Sequence, residues 1–248
     1  MNIKPLILAL LLNCTVFYLK VSGQIIDTSV RVSAADSSIG SNNNLLTIAY
    51  NIQVKTDREK TGIEETYNGG IKTIFIDNDK ARVRLVSLMR IQSIFFSSSK
   101  KYNHAVAIVK ESGKRKYKYY LTDEQWELYN NKYNNDSCQF TNDSAVILNY
   151  PCRKAIVMLQ GGRSLTVYYT NQLKAISHKI EPEFSCIPGL VLQYEYDYKK
   201  GTLIYTASKI SENPVTSGVF KIPRGIALKK YCSRCRGQGK EFFRKFND

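Results

Sequence analysis

A chain of 248 residues with 43% hydrophobic and 23% charged residues can bury a core, and its length fits one ordinary domain or two small ones. Six prolines and fourteen glycines exclude a collagen-like or proline-rich scaffold, and two histidines, His104 and His178, leave little material for an imidazole-rich metal centre. The formal charge of +15, with seventeen Tyr and ten Phe beside many Ile, Val and Thr, indicates a basic and strand-rich protein.

Lys4 precedes an apolar run from Pro5 to Leu12 that resumes with Cys14, Val16, Phe17, Tyr18 and Leu19. Val21-Ser22-Gly23 then sets small residues before Gln24, which predicts a signal peptide over 1–23, cleaved between Gly23 and Gln24. The run is too short and too interrupted to span a bilayer, which takes about 20 apolar residues. Cys14 is not read as a lipid anchor, because Asn13 stands where a small residue is needed. The expected destination is outside the cytoplasm, periplasmic or secreted. Residues 24–45 are small and polar, and form an expected flexible leader.

From Leu46 to Val54 every second residue is apolar, the period of a strand with one buried face. Ile71–Ile76 and Ala81–Leu85 flank Asp77-Asn78-Asp79 as a hairpin. Ala105–Val109 and Tyr117–Leu121 flank Glu111-Ser112-Gly113-Lys114 as a second. Residues 130–144, with Asn130, Asn131, Asn134, Asn135 and Asn142, are expected to form a long surface loop. Within it, Asn135-Asp136-Ser137 and Asn142-Asp143-Ser144 match the glycosylation acceptor pattern. Ala155–Leu159 and Leu165–Tyr169 flank Gly161-Gly162 as a third hairpin. Leu190, Leu192, Tyr194, Tyr196 and Tyr198 alternate with Val191, Gln193, Glu195 and Asp197, and Lys200-Gly201 turns the chain into Thr202–Ala207 as a fourth. Hairpins of this kind build an antiparallel sheet and not a doubly wound α/β fold. The expected fold is mainly β, a single curved antiparallel sheet or half-barrel with few short helices, over residues 46–228, with a basic C-terminal tail at 229–248.

Without residues 1–23 the charge is +13, and two segments account for it. Residues 100–118 carry a net +6 and residues 221–248 a net +7. A basic patch of this kind attracts an anionic surface, or it is merely a solvated hairpin and tail. No nucleic-acid-binding motif accompanies the charge, so nucleic acid is not an expected partner. Cys232-Ser-Arg-Cys235 is a C-x-x-C without the βαβ setting of a thiol oxidoreductase and without a second half to complete a zinc site.

Tyr150-Pro151-Cys152-Arg153-Lys154-Ala155 opens one strand, Tyr168-Tyr169-Thr170 closes the next, and Ile187-Pro188-Gly189-Leu190-Val191 runs into the tyrosine-rich strand. This succession resembles the GLPGLI family of secreted Bacteroidota proteins. Tyr150, Cys152, Lys154 and Ala155 match its Y-x-C-x-K-A segment. Ile187, Pro188, Gly189, Leu190 and Val191 match its naming motif, with Cys186 where that motif's first glycine belongs. Phe220-Lys221-Ile222-Pro223-Arg224-Gly225 is similar to a closing strand of lipoprotein-carrier-like folds. The resemblance implies a curved antiparallel sheet around an apolar cavity, and it brings no established reaction. Cys152 and Cys186 each start a motif-bearing strand and are the expected disulfide pair, with Cys138–Cys152 as the competing arrangement. Read without the resemblance, Pro188-Gly189 is a turn that aims Leu190 and Leu192 into the core.

The sequence holds no G-x-S-x-G, G-x-x-x-x-G-K or H-E-x-x-H pattern, so no catalytic residue, metal ligand or cofactor is assigned. His178, Glu181 and Glu183 are the densest titratable group, and the adjoining Pro182 reads them as a solvated loop. The expected function is a noncatalytic binding or carrier protein for a hydrophobic small molecule. On that reading Leu190, Leu192, Tyr194 and Tyr196 face Leu46, Ile48, Tyr50 and Ile52, either filling a core or lining a concavity. The alternatives are a module that meets an anionic envelope surface or another envelope protein through its basic residues, or a thiol-redox protein using Cys232 and Cys235.

Overall fold

The computed structural model describes residues 45–56, 62–97, 105–133, 135–160, 162–198 and 201–231. The expected cleavage point at Gly23 and Gln24, the leader before Leu45, and Cys232 and Cys235 lie outside these residues.

Among the described residues twelve strands form one sheet. In chain order they are β1 (Leu45–Lys55), β2 (Ile71–Asp77), β3 (Lys80–Val86), β4 (Ile91–Ser97), β5 (Val106–Lys110), β6 (Tyr117–Leu121), β7 (Asn135–Ile147), β8 (Tyr150–Leu159), β9 (Arg163–Thr170), β10 (Leu190–Tyr198), β11 (Gly201–Ser211) and β12 (Ala227–Leu228). Their spatial order is β12-β6-β5-β4-β3-β2-β1-β11-β10-β9-β8-β7. The sheet is thus two antiparallel meanders, β1–β6 and β7–β11, joined where β1 pairs with β11. The pairing of β12 with β6 is parallel. Helix α1 (Ile63–Tyr67) follows β1, and helix α2 (Asp123–Asn130) follows β6. The fold is mainly β, a curved antiparallel sheet with few short helices, as the alternating segments predict.

The alternation that marks the strands also selects the inner face. Ile48, Tyr50, Ile52 and Val54 of β1 are at most 2% exposed, and the residues between them are not buried. Leu203 and Tyr205 of β11, Leu190, Leu192 and Tyr194 of β10 and Val157 of β8 join them in one core. Each such side chain contributes about 1.5–3 kcal/mol of burial. A bulge between Val191 and Gln193 buries three successive residues, Leu190, Val191 and Leu192, and bends the strand.

Two elements depart from expectation. Asn135–Ile147 is not a surface loop but the edge strand β7, paired with β8, and Asn142 stands exposed upon it. Asparagine disfavours strands intrinsically, but two-sided exposure at a sheet edge tolerates polar side chains. β4 carries no alternation to signal it, because Gln92, Ser93, Ile94, Phe95 and Phe96 are all buried. Its outer face is covered: Phe95, Ala107 and Val109 pack with Ile222 and Ile226 of the C-terminal segment.

Cys152 and Cys186 do not pair, and neither do Cys138 and Cys152. The disulfide joins Cys138 to Cys186, with Cα atoms 6.1 Å apart. The register explains this, since Cys138 is level with Val157 and Cys152 with Ala145. Cys152 therefore lies five residues along β8 from the level of Cys138, on the order of 16 Å at strand rise. Its thiol is buried and donates to the Tyr150 carbonyl at 3.4 Å.

Candidate ligand pocket

The connection from β9 to β10, residues 171–189, lies against the inner face of the sheet and builds the candidate site. Contacts from several elements hold it. Trp126 Nε1 of α2 donates to the Lys179 carbonyl at 2.8 Å. Lys72 Nζ of β2 donates to Glu181 Oε1 at 2.6 Å. Phe184 meets the Tyr194 ring edge-on, centroids 5.0 Å apart. The disulfide fixes Cys186 to β7. Helix α2 can offer its tryptophan because Thr122 caps it: the Thr122 hydroxyl accepts from Gln125 N and the Gln125 side chain accepts from Thr122 N.

Lys72 and Glu181 are 7% and 3% exposed, so the pair is withdrawn from water. Lys72 Nζ also donates to Tyr194 Oη at 3.1 Å and lies over the rings of Tyr50, Tyr194 and Tyr205 at 5.5, 5.1 and 5.9 Å. Burial by itself would lower the Lys72 pKa, but the carboxylates of Glu181 and Glu183 outweigh it and hold the ammonium charged. Through its bonds to Glu181 and Tyr194 the lysine anchors the returning loop to β2 and β10. Burial raises Tyr50 and Tyr194 well above the ordinary phenol range, and both stay neutral. Tyr50 Oη uses its proton on the Val191 carbonyl at 2.8 Å. The solvated loop expected at Glu181 is thus corrected: its charge is matched by a lysine 109 residues away in sequence. His178 is exposed.

Burial raises Glu183 to about 7, opposed by the Lys72 charge and reinforced by Glu181. A carboxyl whose folded pKa lies above its unfolded value stabilises the fold most below the unfolded pKa, and loses that contribution as pH rises through the folded one. Thermal stability is therefore expected to fall between about pH 4.5 and pH 7, and Glu183→Gln to flatten that slope. Melting curves across this range check it; an unchanged slope in the variant would show that Glu183 is not the titrating group.

Between this loop and the ends of β1–β4 lies a cavity of about 610 Å³. Leu45, Leu46, Ile76 and Phe96 supply its sheet side, and Leu173, Ile176 and Ile180 its loop side, with Leu190 between them. The lining also includes polar and charged residues, among them Asp79, Lys80, Lys174, Lys179 and Glu212. Both outcomes expected of the apolar faces occur, in different places. Ile48, Tyr50, Ile52, Leu192 and Tyr194 fill the core, while a partly apolar hollow remains where β2 turns into β3.

The motif residues have mostly structural places. Gly189 is required by close approach, because a Cβ there would lie 2.0 Å from the Thr170 carbonyl oxygen. Ile187 and Val191 are buried, Pro188 is exposed, and Lys154 pairs with Asp143 across β8 and β7 at 2.9 Å. Tyr150 begins β8 and Cys152 is buried beside it. Of the motif residues only Leu190 lines the cavity. Sequence reasoning does not single out Phe96, Ile176 or Ile180, since β4 does not alternate and the loop has no period. Among the described residues no three His, Cys, Asp or Glu side chains converge as metal ligands would.

No family model matches the chain, and no curated protein matches it. Among solved structures it is similar to PNGF-II, at TM-score 0.44 and 15% identity, over 77% of this chain and 32% of that one. The chain thus spans about a third of the length of PNGF-II. It is also similar to an uncharacterized conserved protein from Thermus thermophilus, at TM-score 0.43 and 7% identity over 75% and 90% of the two chains. The lipoprotein LppX of Mycobacterium tuberculosis is similar at TM-score 0.36 and 9% identity, over 70% and 90%.

Proposed function

We propose that this chain is an exported, noncatalytic binding protein of the GLPGLI type that shelters an apolar small molecule in the cavity beneath its β9–β10 loop. The cavity carries the reading: at about 610 Å³ it has the size of a small-molecule site, and Leu, Ile and Phe side chains make up much of its lining. Its loop wall is not free to collapse, because Trp126, the Lys72–Glu181 pair and the Cys138–Cys186 bond hold it. The signal-like start, ending Val21-Ser22-Gly23, supports export, and a disulfide joining β7 to the loop suits an oxidising compartment. No helix among the described residues is long and apolar enough to cross a membrane.

Titration with cis-parinaric acid, a fluorescent fatty acid, tests the site. The protein should take up about one probe, and Ile176→Asp should weaken uptake about ten-fold or more, since a charge in the hollow must be desolvated by the bound chain. Ile176 is only half-buried, so the variant should retain its fold, read by an unchanged melting curve. Equal uptake by both proteins would remove the cavity from the account. Cys235→Ser should leave uptake unchanged, whereas loss of a disulfide-exchange activity in that variant would favour the redox reading.

A further inference from the structure

At the end of the sheet remote from the cavity, two turns meet. The β3–β4 turn, Ser87-Leu88-Met89-Arg90, is held to the β5–β6 turn, residues 111–116, through Ser112. Its hydroxyl accepts from Ile91 N at 2.9 Å and donates to the Met89 carbonyl at 3.3 Å, and Glu111 N donates to the Ile91 carbonyl at 2.8 Å. Leu88 and Met89 are 74% and 68% exposed. Ile71 and Val86, paired across β2 and β3 at the same end, are exposed as well. Four large apolar side chains therefore face water together, where an isolated one would call for no explanation.

The adjoining turn is basic. Lys114, Arg115 and Lys116 are exposed, and none has a carboxylate in ion-pair range among the described residues. The turn's own acid is withdrawn: Glu111 Oε1 accepts from Ser93 Oγ at 2.7 Å and from Arg82 at 3.3 Å. On α1 beside the tip, Glu65 is exposed. The second basic segment of the sequence converges here through β12. Lys229 N donates to the Lys118 carbonyl at 2.9 Å, and Lys229 Nζ stands 4.4 Å from the Tyr117 ring centroid. Two clusters far apart in sequence thus share one sheet edge.

We propose that this end of the sheet docks on an anionic lipid bilayer, with Leu88 and Met89 at the headgroup–acyl boundary and Lys114, Arg115 and Lys116 among the headgroups. A soluble polyanion would engage the basic residues but gain nothing from the apolar tip, whereas a bilayer satisfies both at once. β3 runs from the cavity end at Lys80 to the tip at Val86, roughly 20 Å at strand rise. The docked protein would hold its cavity away from the lipid, so this proposal does not depend on what the cavity binds.

Co-sedimentation with phosphatidylcholine vesicles, with and without about one third phosphatidylglycerol, tests it on protein purified from its own host. Binding should require phosphatidylglycerol and fall with salt. Lys114→Gln, Arg115→Gln and Lys116→Gln should each weaken it about five-fold. Leu88→Ser with Met89→Ser should weaken it about ten-fold, at unchanged melting temperature. Wild-type binding by both sets of variants would overturn the proposal. A loss confined to the basic variants, accompanied by equal binding to soluble heparin with or without the apolar pair, would assign the surface to a soluble polyanion instead.

Discussion

Lys72→Met should cost about 3–5 kcal/mol of stability, because it strands Glu181 in a site that is 3% exposed. The loss comes less from the attraction removed than from the uncompensated carboxylate left behind, next to a second carboxyl on Glu183. The double variant Lys72→Met, Glu181→Leu should recover most of that cost, since an apolar pair of similar volume needs no solvation. Urea unfolding of the four proteins of this cycle checks it. The lysine also anchors the loop that forms one wall of the cavity, so the single variant should lose parinarate uptake and the double variant should regain part of it. A single variant as stable as the parent would mean that Glu181 reaches water, and that the loop is not anchored as described.

Gly189→Ala is the second large effect. The new methyl group would sit 2.0 Å from the Thr170 carbonyl oxygen and 2.7 Å from its carbon, both backbone atoms. Thr170 is the register partner of Leu190, so the clash can be relieved only by parting β9 from β10 at their first rung. A cost of about 3–5 kcal/mol is expected, at or above the usual range of backbone-displacing overpacking. The same movement displaces Leu190 from the cavity wall, so uptake should fall together with the urea midpoint. A cost below about 1 kcal/mol would contradict the close approach of these strands.

Local pattern makes much of this fold legible. β1 and the β2–β3, β8–β9 and β10–β11 hairpins are legible from period-two alternation, while β5 reads as an unbroken apolar run, Val106 to Val109, because both its faces are covered. Asn78 and Gly162 sit at positive φ in two of those turns, which their residue types allow. β4 escapes because both its faces are covered, and its second cover comes from Ile222 and Ile226, far along the chain. β7 escapes because its asparagines look like loop and only the edge position makes them acceptable. Helix α2 carries a readable signal, Thr122 followed three residues later by Gln125, which local inspection can catch.

The site is less legible than the fold, for a physical reason. Glu181 reads as solvated beside Pro182 and His178, and only the register of β1 with β2 reveals its partner. That register sets Lys72 opposite Tyr50, beneath the returning loop. The disulfide escapes for a similar reason, since sequence motifs mark where strands begin but not which cysteine stands level with which. Pro188-Gly189 is structural in kind, as its residue types suggest. Its glycine answers to close contact with Thr170 and not to backbone handedness.

Native mass spectrometry of the protein purified from its own host shows directly whether the cavity holds a ligand. The expected result is a species heavier than the bare chain by a small molecule that fills the cavity. That species should strip to the bare mass on activation, and it should be absent from the Ile176→Asp variant. A protein that arrives at bare mass and then takes up no fatty-acid probe would rule out a ligand site beneath the β9–β10 loop, as would one whose extra mass persists unchanged in that variant.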